Sequence, residues 1–259
     1  MEILSFKPKL GVTPITLIQK IVEWIGSILS MIYFSTPLIQ IIQMYRGKLK
    51  TEYLPITLLL TILLNCTFWL LHGITSSITD KKIWWSLLIC NGYGLIINVA
   101  LLFLFLYLYL DKNIIQFIGY GLFVINLLGE VCYIIEIWVL KKGEKNDEYN
   151  DLIGIVATIV NVCMYLSPGV NIIKLFQTGK YEFLPIITNI VGFITTLVWL
   201  IYGILTFDDK NKSARYTLYS NGVSTIIILI QIIFWIYYFL NSHENNYGED
   251  NNDRYIDNK

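Results

Sequence analysis

Long apolar runs separated by short charged stretches dominate the pattern of this 259-residue chain. Each run is continuously apolar rather than alternating, and each reaches the ~20 residues that a helix needs to cross a bilayer. Because a helix satisfies its own backbone hydrogen bonds in lipid, the runs predict seven spanning helices. They cover roughly residues 18–45, 53–75, 83–110, 114–140, 152–176, 183–207 and 216–240.

A group of residues occurs twice, and each member of the first copy has its partner 130 positions later (185 − 55, for example). The pairs are Pro55 and Pro185, Trp69 and Trp199, Gly73 and Gly203, and Asn91 and Asn221. A further pair, Pro37 and Pro168, is 131 positions apart. The repeat predicts that runs one to three fold like runs five to seven. A chain that crosses the membrane three times ends on the opposite side, so a second repeat that followed directly would be inverted. The unpaired fourth helix adds one crossing and gives both halves the same orientation.

The predicted fold is an all-α integral membrane protein with two parallel three-helix repeats joined by a linker helix. This 3+1+3 design places a cavity between the halves, near the membrane midplane. The predicted units are residues 1–17 as an N-terminal segment, 18–110 as the first repeat, 111–151 as the linker helix and its loop, 152–240 as the second repeat, and 241–259 as a polar tail. Lysines, prolines and a glycine interrupt the first unit, so no cleavable signal peptide is expected. The tail has little apolar surface to bury and is expected to be disordered.

The composition argues against several classes of function. Charged residues make up 15% of the chain, against about a quarter in a soluble domain. The net charge is zero, and no basic face indicates a nucleic-acid partner. The four cysteines lie inside apolar runs, where they are expected to pack rather than to form disulfides or a zinc site. No His, Asp and Glu cluster has the spacing of a metal site or an activated nucleophile, so neither an enzyme nor a cofactor is predicted.

Two tryptophans and two asparagines of the repeat, Trp69, Trp199, Asn91 and Asn221, indicate a ligand pocket. Polar side chains inside a bilayer face the helix bundle or a water-filled cavity. Indole faces pack on the C–H face of a sugar ring, and carboxamides hydrogen-bond to hydroxyls, so these groups suit a neutral, polyhydroxylated ligand. Alternatively, a membrane asparagine ties helices together and a tryptophan anchors at the interface. The recurrence of all four at one offset favours the pocket.

The prolines form a second repeated group, with Pro37, Pro55, Pro168 and Pro185 in the first two runs of each half. Proline removes an intrahelical hydrogen bond and kinks a helix, so these positions are candidate hinges. For Pro55 and Pro185, which lie near the start of a run, a simple helix start is an equal alternative. Within the repeated runs the only carboxylate is Glu23. None lies in the Trp and Asn layer, which predicts transport without proton coupling.

These motifs resemble the SWEET (MtN3/saliva) family of sugar transporters over about residues 26–238. The resemblance rests on Leu64-Asn65-Cys66, Asn91-Gly92-Tyr93-Gly94, Ser167-Pro168, Glu182-Phe183-Leu184-Pro185, Trp199-x-x-Tyr202-Gly203 and Asn221-Gly222. It implies a seven-helix sugar uniporter that works by alternating access, with a hexose as the expected substrate. It implies that Asn91 and Asn221 bind the sugar between Trp69 and Trp199, and that the four prolines permit gating on the cytosolic side. It further implies an outer gate formed by His72, Tyr202 and Asp208.

The chain departs from the family pattern at two positions near these sites. Thr36 precedes Pro37 where the family has serine, and His72 stands where it usually has tyrosine. A histidine beside an acid in a gate can titrate between about pH 5 and 8. A pH-dependent outer gate is therefore one hypothesis, and a neutral, packed histidine is the favoured alternative.

The resemblance also implies a plasma-membrane location, an outer N-terminus, a cytosolic C-terminus and a homo-oligomer. On that orientation eight of the 19 Lys and Arg residues lie on the cytosolic side and eleven on the other, so the positive-inside rule gives no support. Glycosylation at Asn211-Lys212-Ser213 would place that loop outside the cytosol.

Two other functions are alternatives to sugar transport. Amino-acid carriers of the PQ-loop type have a Pro-Gln pair in each half, whereas the prolines here precede Leu38, Ile56, Gly169 and Ile186. A seven-helix receptor is disfavoured by the three-helix duplication and by the absence of Asp-Arg-Tyr and Asn-Pro-x-x-Tyr motifs.

Overall fold

The computed structural model describes residues 14–50, 56–79, 83–109, 146–179, 184–207 and 212–256, with isolated positions between 119 and 129. Within these residues the fold is entirely helical, as predicted. The helices are α1 (Pro14–Tyr45), α2 (Ile56–Thr79), α3 (Trp85–Tyr109), α4 (Asn146–Leu166), α5 (Gly169–Thr178), α6 (Ile186–Thr206) and α7 (Lys212–Ile256).

Six helical stretches of the described residues are long and apolar enough to cross a membrane, and one of them, Glu148–Thr178, combines α4 and α5. The fourth predicted run lies mostly outside the described residues. Its described positions are helical, and Val124 and Leu127 are buried in the same hydrophobic core as α1 to α3. Large apolar side chains such as Ile226 and Ile233 face outward, while asparagines are buried, which is the distribution expected in lipid.

The two halves have the same internal arrangement. In the first half α3 contacts both α1 and α2, and in the second half α7 contacts both α4 and α6. Between the halves, α1 contacts α6 and α2 contacts α4. Each of these contacts pairs the first helix of one half with the second helix of the other, as a twofold relation requires. The 3+1+3 organisation therefore leaves a space enclosed by α1, α2, α4 and α6.

The prolines affect their helices differently. Helix α1 continues through Pro37, whereas Pro168 separates α4 from α5. Before this break, the Ser167 N–H bonds to both Cys163 O (2.9 Å) and Met164 O (3.3 Å), which tightens the last turn of α4. Pro185 directly precedes α6, which agrees with the helix-start alternative for that position. Pro55 lies outside the described residues.

The last helix extends beyond the predicted span and runs to Ile256. The sequence predicts disorder for residues 241–259, because this polar tail cannot bury a core. Forming the first turn is the unfavourable step in making a helix, and adding residues to an existing helix is much easier. The spanning part of α7 supplies that existing helix, which accounts for the helical backbone of the tail as far as Ile256.

Candidate functional site

Two adjoining cavities lie between the halves, and a layer of paired side chains separates them. The central cavity is lined by Asn65, Trp69 and Asn91 from the first half and by Asn161, Trp199 and Asn221 from the second. The neighbouring cavity, which we term the vestibule, is lined by Glu23, His72, Tyr202 and others. Four residues line both cavities, and they form two repeat-related pairs: Trp69 with Trp199, and Leu87 with Thr217. The structure thus brings the four predicted pocket residues together around one space.

The amides of Asn91 and Asn221 are held in the same way in both halves. Asn91 Nδ2 donates to Leu87 O at 2.9 Å, and Asn221 Nδ2 donates to Thr217 O at 2.9 Å. Each Nδ2 also lies 3.3 Å from the side chain of the preceding residue, Cys90 or Ser220. Because a carbonyl only accepts hydrogen bonds, these contacts fix the orientation of both amides. Both Oδ1 atoms are therefore available to accept a hydrogen bond from a ligand hydroxyl.

Trp199 is fixed by α1 of the opposite half. Its Nε1–H donates to Ser30 Oγ at 2.8 Å, and the Ser30 hydroxyl donates to Gly26 O at 2.9 Å. The indole lies on Gly26 so closely that an added Cβ would be 2.9 Å from Trp199 Cε2. At the repeat-related positions, 131 residues later, stand Ala157 and Asn161. The two tryptophans therefore occupy equivalent places, but the surroundings of Trp199 are specific to its own half.

An aromatic ring follows each of these tryptophans toward the vestibule. The rings of Trp69 and His72 meet edge to face with centroids 5.7 Å apart, and those of Trp199 and Tyr202 do the same at 5.5 Å. His72 is 1% exposed and also meets the ring of Tyr216 edge to face at 5.8 Å. His72 thus takes the aromatic position that Tyr202 has in the other half, which fits the packed-histidine alternative. Asp208, the third predicted gate residue, lies outside the described residues.

Hydrogen bonds join the halves at the vestibule end of the bundle. Gln19 Nε2 donates to Leu205 O at 2.6 Å, which links α1 to α6. The hydroxyls of Thr75 and Ser76 donate to Asn150 Oδ1 at 2.7 and 3.2 Å, which links α2 to α4. Gln19 and Asn150 are repeat-related, because they are 131 positions apart. Both seams between the halves are therefore bonded at this end by the same pair of positions.

Aromatic packing closes the central cavity at its other end, which we term the proline end. Tyr33 of α1 and Tyr165 of α4 have ring centroids 5.2 Å apart, and both side chains are buried. Gly192 of α6 admits the Tyr33 ring, which lies 3.0 Å from the place of an added Cβ. Farther along, Gln40 Nε2 lies 3.4 Å from Thr188 Oγ1 across the seam between α1 and α6. Pro37 and Pro168 flank this closure.

The cavity contains polar residues that the sequence did not single out as pocket residues. Ser30, Asn65 and Asn161 line it, and Asn65 is 2% exposed, with an Oδ1 atom that has no hydrogen-bond partner among the described residues. Asn65 was visible as a polar residue one turn before Trp69. Ser30 and Asn161 were harder to find, because they follow the 131-residue offset and share no side-chain type. Within the described part of the chain no three His, Cys, Asp or Glu side chains are grouped to hold a metal.

Comparisons with known proteins agree with this arrangement. The family described as "Sugar efflux transporter for intercellular exchange" (MtN3/saliva) matches residues 20–113 and again residues 151–243. The chain is similar to the bidirectional sugar transporter SWEET7 of Arabidopsis thaliana, with 26% identity over 87% of this chain and 82% of that protein. It is similar to SWEET5 of the same plant, with 25% identity over 92% and 93%. A eukaryotic SWEET transporter structure matches 85% of this chain and 98% of its own, with a TM-score of 0.58 and 17% identity.

Proposed function

Since the chain belongs to the MtN3/saliva (SWEET) family of membrane transporters, we propose that it is a facilitative sugar transporter that binds one sugar, with a hexose as the expected substrate, between its two halves. The observation that carries the proposal is that Trp69, Trp199, Asn91 and Asn221 line one cavity. The two Oδ1 atoms can accept hydrogen bonds from two hydroxyls of one sugar ring, and the indoles offer apolar faces to its C–H groups. Similarity to bidirectional sugar transporters supports the same conclusion.

The distribution of charge supports uncoupled transport. Among the described residues that line the central cavity there is no carboxylate. Glu23 lines only the vestibule, where it accepts a hydrogen bond from the Ser86 hydroxyl. A carboxylate in that position is already engaged within the protein and lies outside the sugar-binding layer. We therefore infer that the sugar moves down its own gradient in either direction.

Alternating access follows from the two ends of the cavity. The Tyr33–Tyr165 contact at the proline end must separate for the sugar to leave there, and bending at Pro37 and Pro168 can move the flanking helix segments apart. By family resemblance the proline end faces the cytosol and the vestibule faces outward across the plasma membrane. Use of Asn211 as a glycosylation site would support that orientation. Assembly as a homo-oligomer remains a prediction.

Uptake in a transporter-deficient cell tests the proposed function. Labelled glucose, a labelled disaccharide and a labelled amino acid should be offered to cells that express the parent chain. We expect saturable uptake of glucose that is lost in Asn91→Ala and Asn221→Ala. Gly92→Ala is the matched control, because it neighbours Asn91 and an added Cβ at Gly92 has no atom within 4 Å. Uptake that survives both asparagine changes would refute the pocket, and uptake of the amino acid alone would favour the rival carrier.

A further inference from the structure

Pro37 and Pro168 each remove the backbone donor that would normally bond to a carbonyl one turn earlier. Proline has no N–H, so the carbonyl four residues earlier loses its hydrogen bond. For Pro37 that carbonyl belongs to Tyr33, and for Pro168 it belongs to Met164. In lipid an unsatisfied carbonyl costs several kcal/mol, and such kinks are tolerated where side chains re-satisfy it.

The hydroxyl of the residue before each proline donates to this carbonyl, and Met164 O also accepts the Ser167 N–H at 3.3 Å. Thr36 Oγ1 donates to Tyr33 O at 2.8 Å, and Ser167 Oγ donates to Met164 O at 2.8 Å. Thr36 therefore makes the same hydrogen bond in the first half as Ser167 makes in the second. This departure from the family pattern keeps the hydroxyl that the kink requires.

The next carbonyl along each helix receives a side-chain amide from the third helix of its own half. Asn98 Nδ2 of α3 donates to Phe34 O at 3.1 Å, and Gln231 Nε2 of α7 donates to Tyr165 O at 2.8 Å. Phe34 and Tyr165 are repeat-related, 131 positions apart, and both line the central cavity. The two amides thus hold equivalent points of the backbone, immediately before the two prolines and at the cavity wall.

The two amides themselves are not repeat-related. Asn98 corresponds to Ile228, and Gln231 corresponds to Leu101, each 130 positions away. All four side chains are buried, and neither amide lines the central cavity. Asn98 Oδ1 and Gln231 Oε1 have no hydrogen-bond partner among the described residues. Both halves therefore make the same bond to the carbonyl. The amides that make it stand at positions that differ by one helical turn between the halves.

We propose that Asn98 and Gln231 are positioning residues of the transport cycle, which hold the backbone of Phe34 and Tyr165 so that the helices bend at Pro37 and Pro168 and nowhere else. Neither residue touches the sugar. Their loss should therefore slow the movement between the two open states and leave sugar affinity nearly unchanged. This transport role rests on the proposed function, whereas the structural bond does not.

The pseudo-symmetry provides the test, because each half shows where an apolar residue and an amide are tolerated. Asn98→Ile and Gln231→Leu remove the amides. Asn98→Ile/Leu101→Gln and Gln231→Leu/Ile228→Asn rebuild each half with the arrangement of the other. In proteoliposomes with labelled glucose, we expect each single change to lower the maximal rate about tenfold, as loss of a buried hydrogen bond predicts. The half-saturating concentration should stay within about twofold, and the double variants should recover most of the rate.

Two results would overturn the proposal: single variants that transport like the parent, or folded double variants that remain as slow as the singles. If a single variant does not yield monodisperse protein, its double variant is the test. Recovery of folded protein in the double variant would support the proposal, and failure to recover it would overturn the proposal. If the parent moves no tested sugar, the proposed function fails while the bond is still tested by thermal unfolding. The single changes should then lower the Tm by a few degrees, and the double variants should restore it.

Discussion

Gly26→Ala should displace Trp199 and slow sugar transport. An added Cβ would lie 2.9, 3.1 and 3.2 Å from three atoms of the indole, where ordinary contacts are 3.4–4 Å. The ring must therefore move by about half an ångström or more, which also strains its 2.8 Å hydrogen bond to Ser30. Overpacking of this kind costs about 1–3 kcal/mol.

This strain should lower the rate of transport more than the stability of the fold. Alanine is better than glycine in a helix by about 1 kcal/mol, which offsets much of the strain on α1. The displaced indole has no such compensation, so 1–3 kcal/mol corresponds to a loss of about five- to 150-fold in kcat/KM for sugar uptake. Proteoliposome uptake gives this ratio, and the emission of Trp199 in a variant that lacks the other tryptophans reports the ring's surroundings.

The matched control is Ala157→Gly at the repeat-related position in α4. Ala157 is fully buried, so its loss should cost stability while the indole of Trp199 stays in place and transport is largely retained. If Gly26→Ala leaves both the uptake kinetics and the Trp199 emission unchanged, the reasoning that α1 fixes this side of the pocket is wrong.

Three further substitutions test the helix packing, the absence of proton coupling and the role of His72. Gly94→Ala should destabilise the protein by about 1–3 kcal/mol, because an added Cβ would overlap Cys66 Sγ and the Phe34 ring. The control Gly92→Ala should instead raise the Tm, because its added Cβ meets no atom within 4 Å. Equal thermal unfolding of the two variants would contradict this packing. Glu23→Gln should keep uptake, and an imposed proton gradient should not drive accumulation; gradient-driven accumulation would refute uncoupled transport. His72→Tyr should keep both transport and the parental dependence of the transport rate on pH between about 5 and 8, because the other half already has tyrosine at the equivalent position. A changed pH dependence would instead support the pH-dependent gate.

The repeat made the architecture and the main pocket residues predictable from sequence. Trp69, Trp199, Asn91 and Asn221 recur at one offset, and a twofold arrangement brings such residues to a common space. The Gly26–Ser30 support of Trp199 was not predictable, because the equivalent positions carry different side chains in the second half. The bonds that Asn98 and Gln231 make to the carbonyls of Phe34 and Tyr165 were not predictable for a related reason. The bond is repeated in both halves, but the residues that make it stand at positions one helical turn apart.

Two further features of the backbone depend on more than the local sequence. Pro37 and Pro168 look alike in sequence, yet α1 continues through the first and α4 ends at the second. The composition of residues 241–259 predicts disorder, but a preceding span supplies the nucleus for helix as far as Ile256. A single sequence cannot weigh these effects, because they depend on what a segment is attached to or packed against.

We propose that a single sugar binds both Asn91 and Asn221. Equilibrium binding of labelled glucose to the purified chain tests it most directly, with the parent and the two single alanine variants compared. We expect one glucose per chain in the parent and weakened binding in both variants, because each removes an acceptor from the same site. Two glucose molecules per chain, or a variant that keeps the parental affinity, would contradict it.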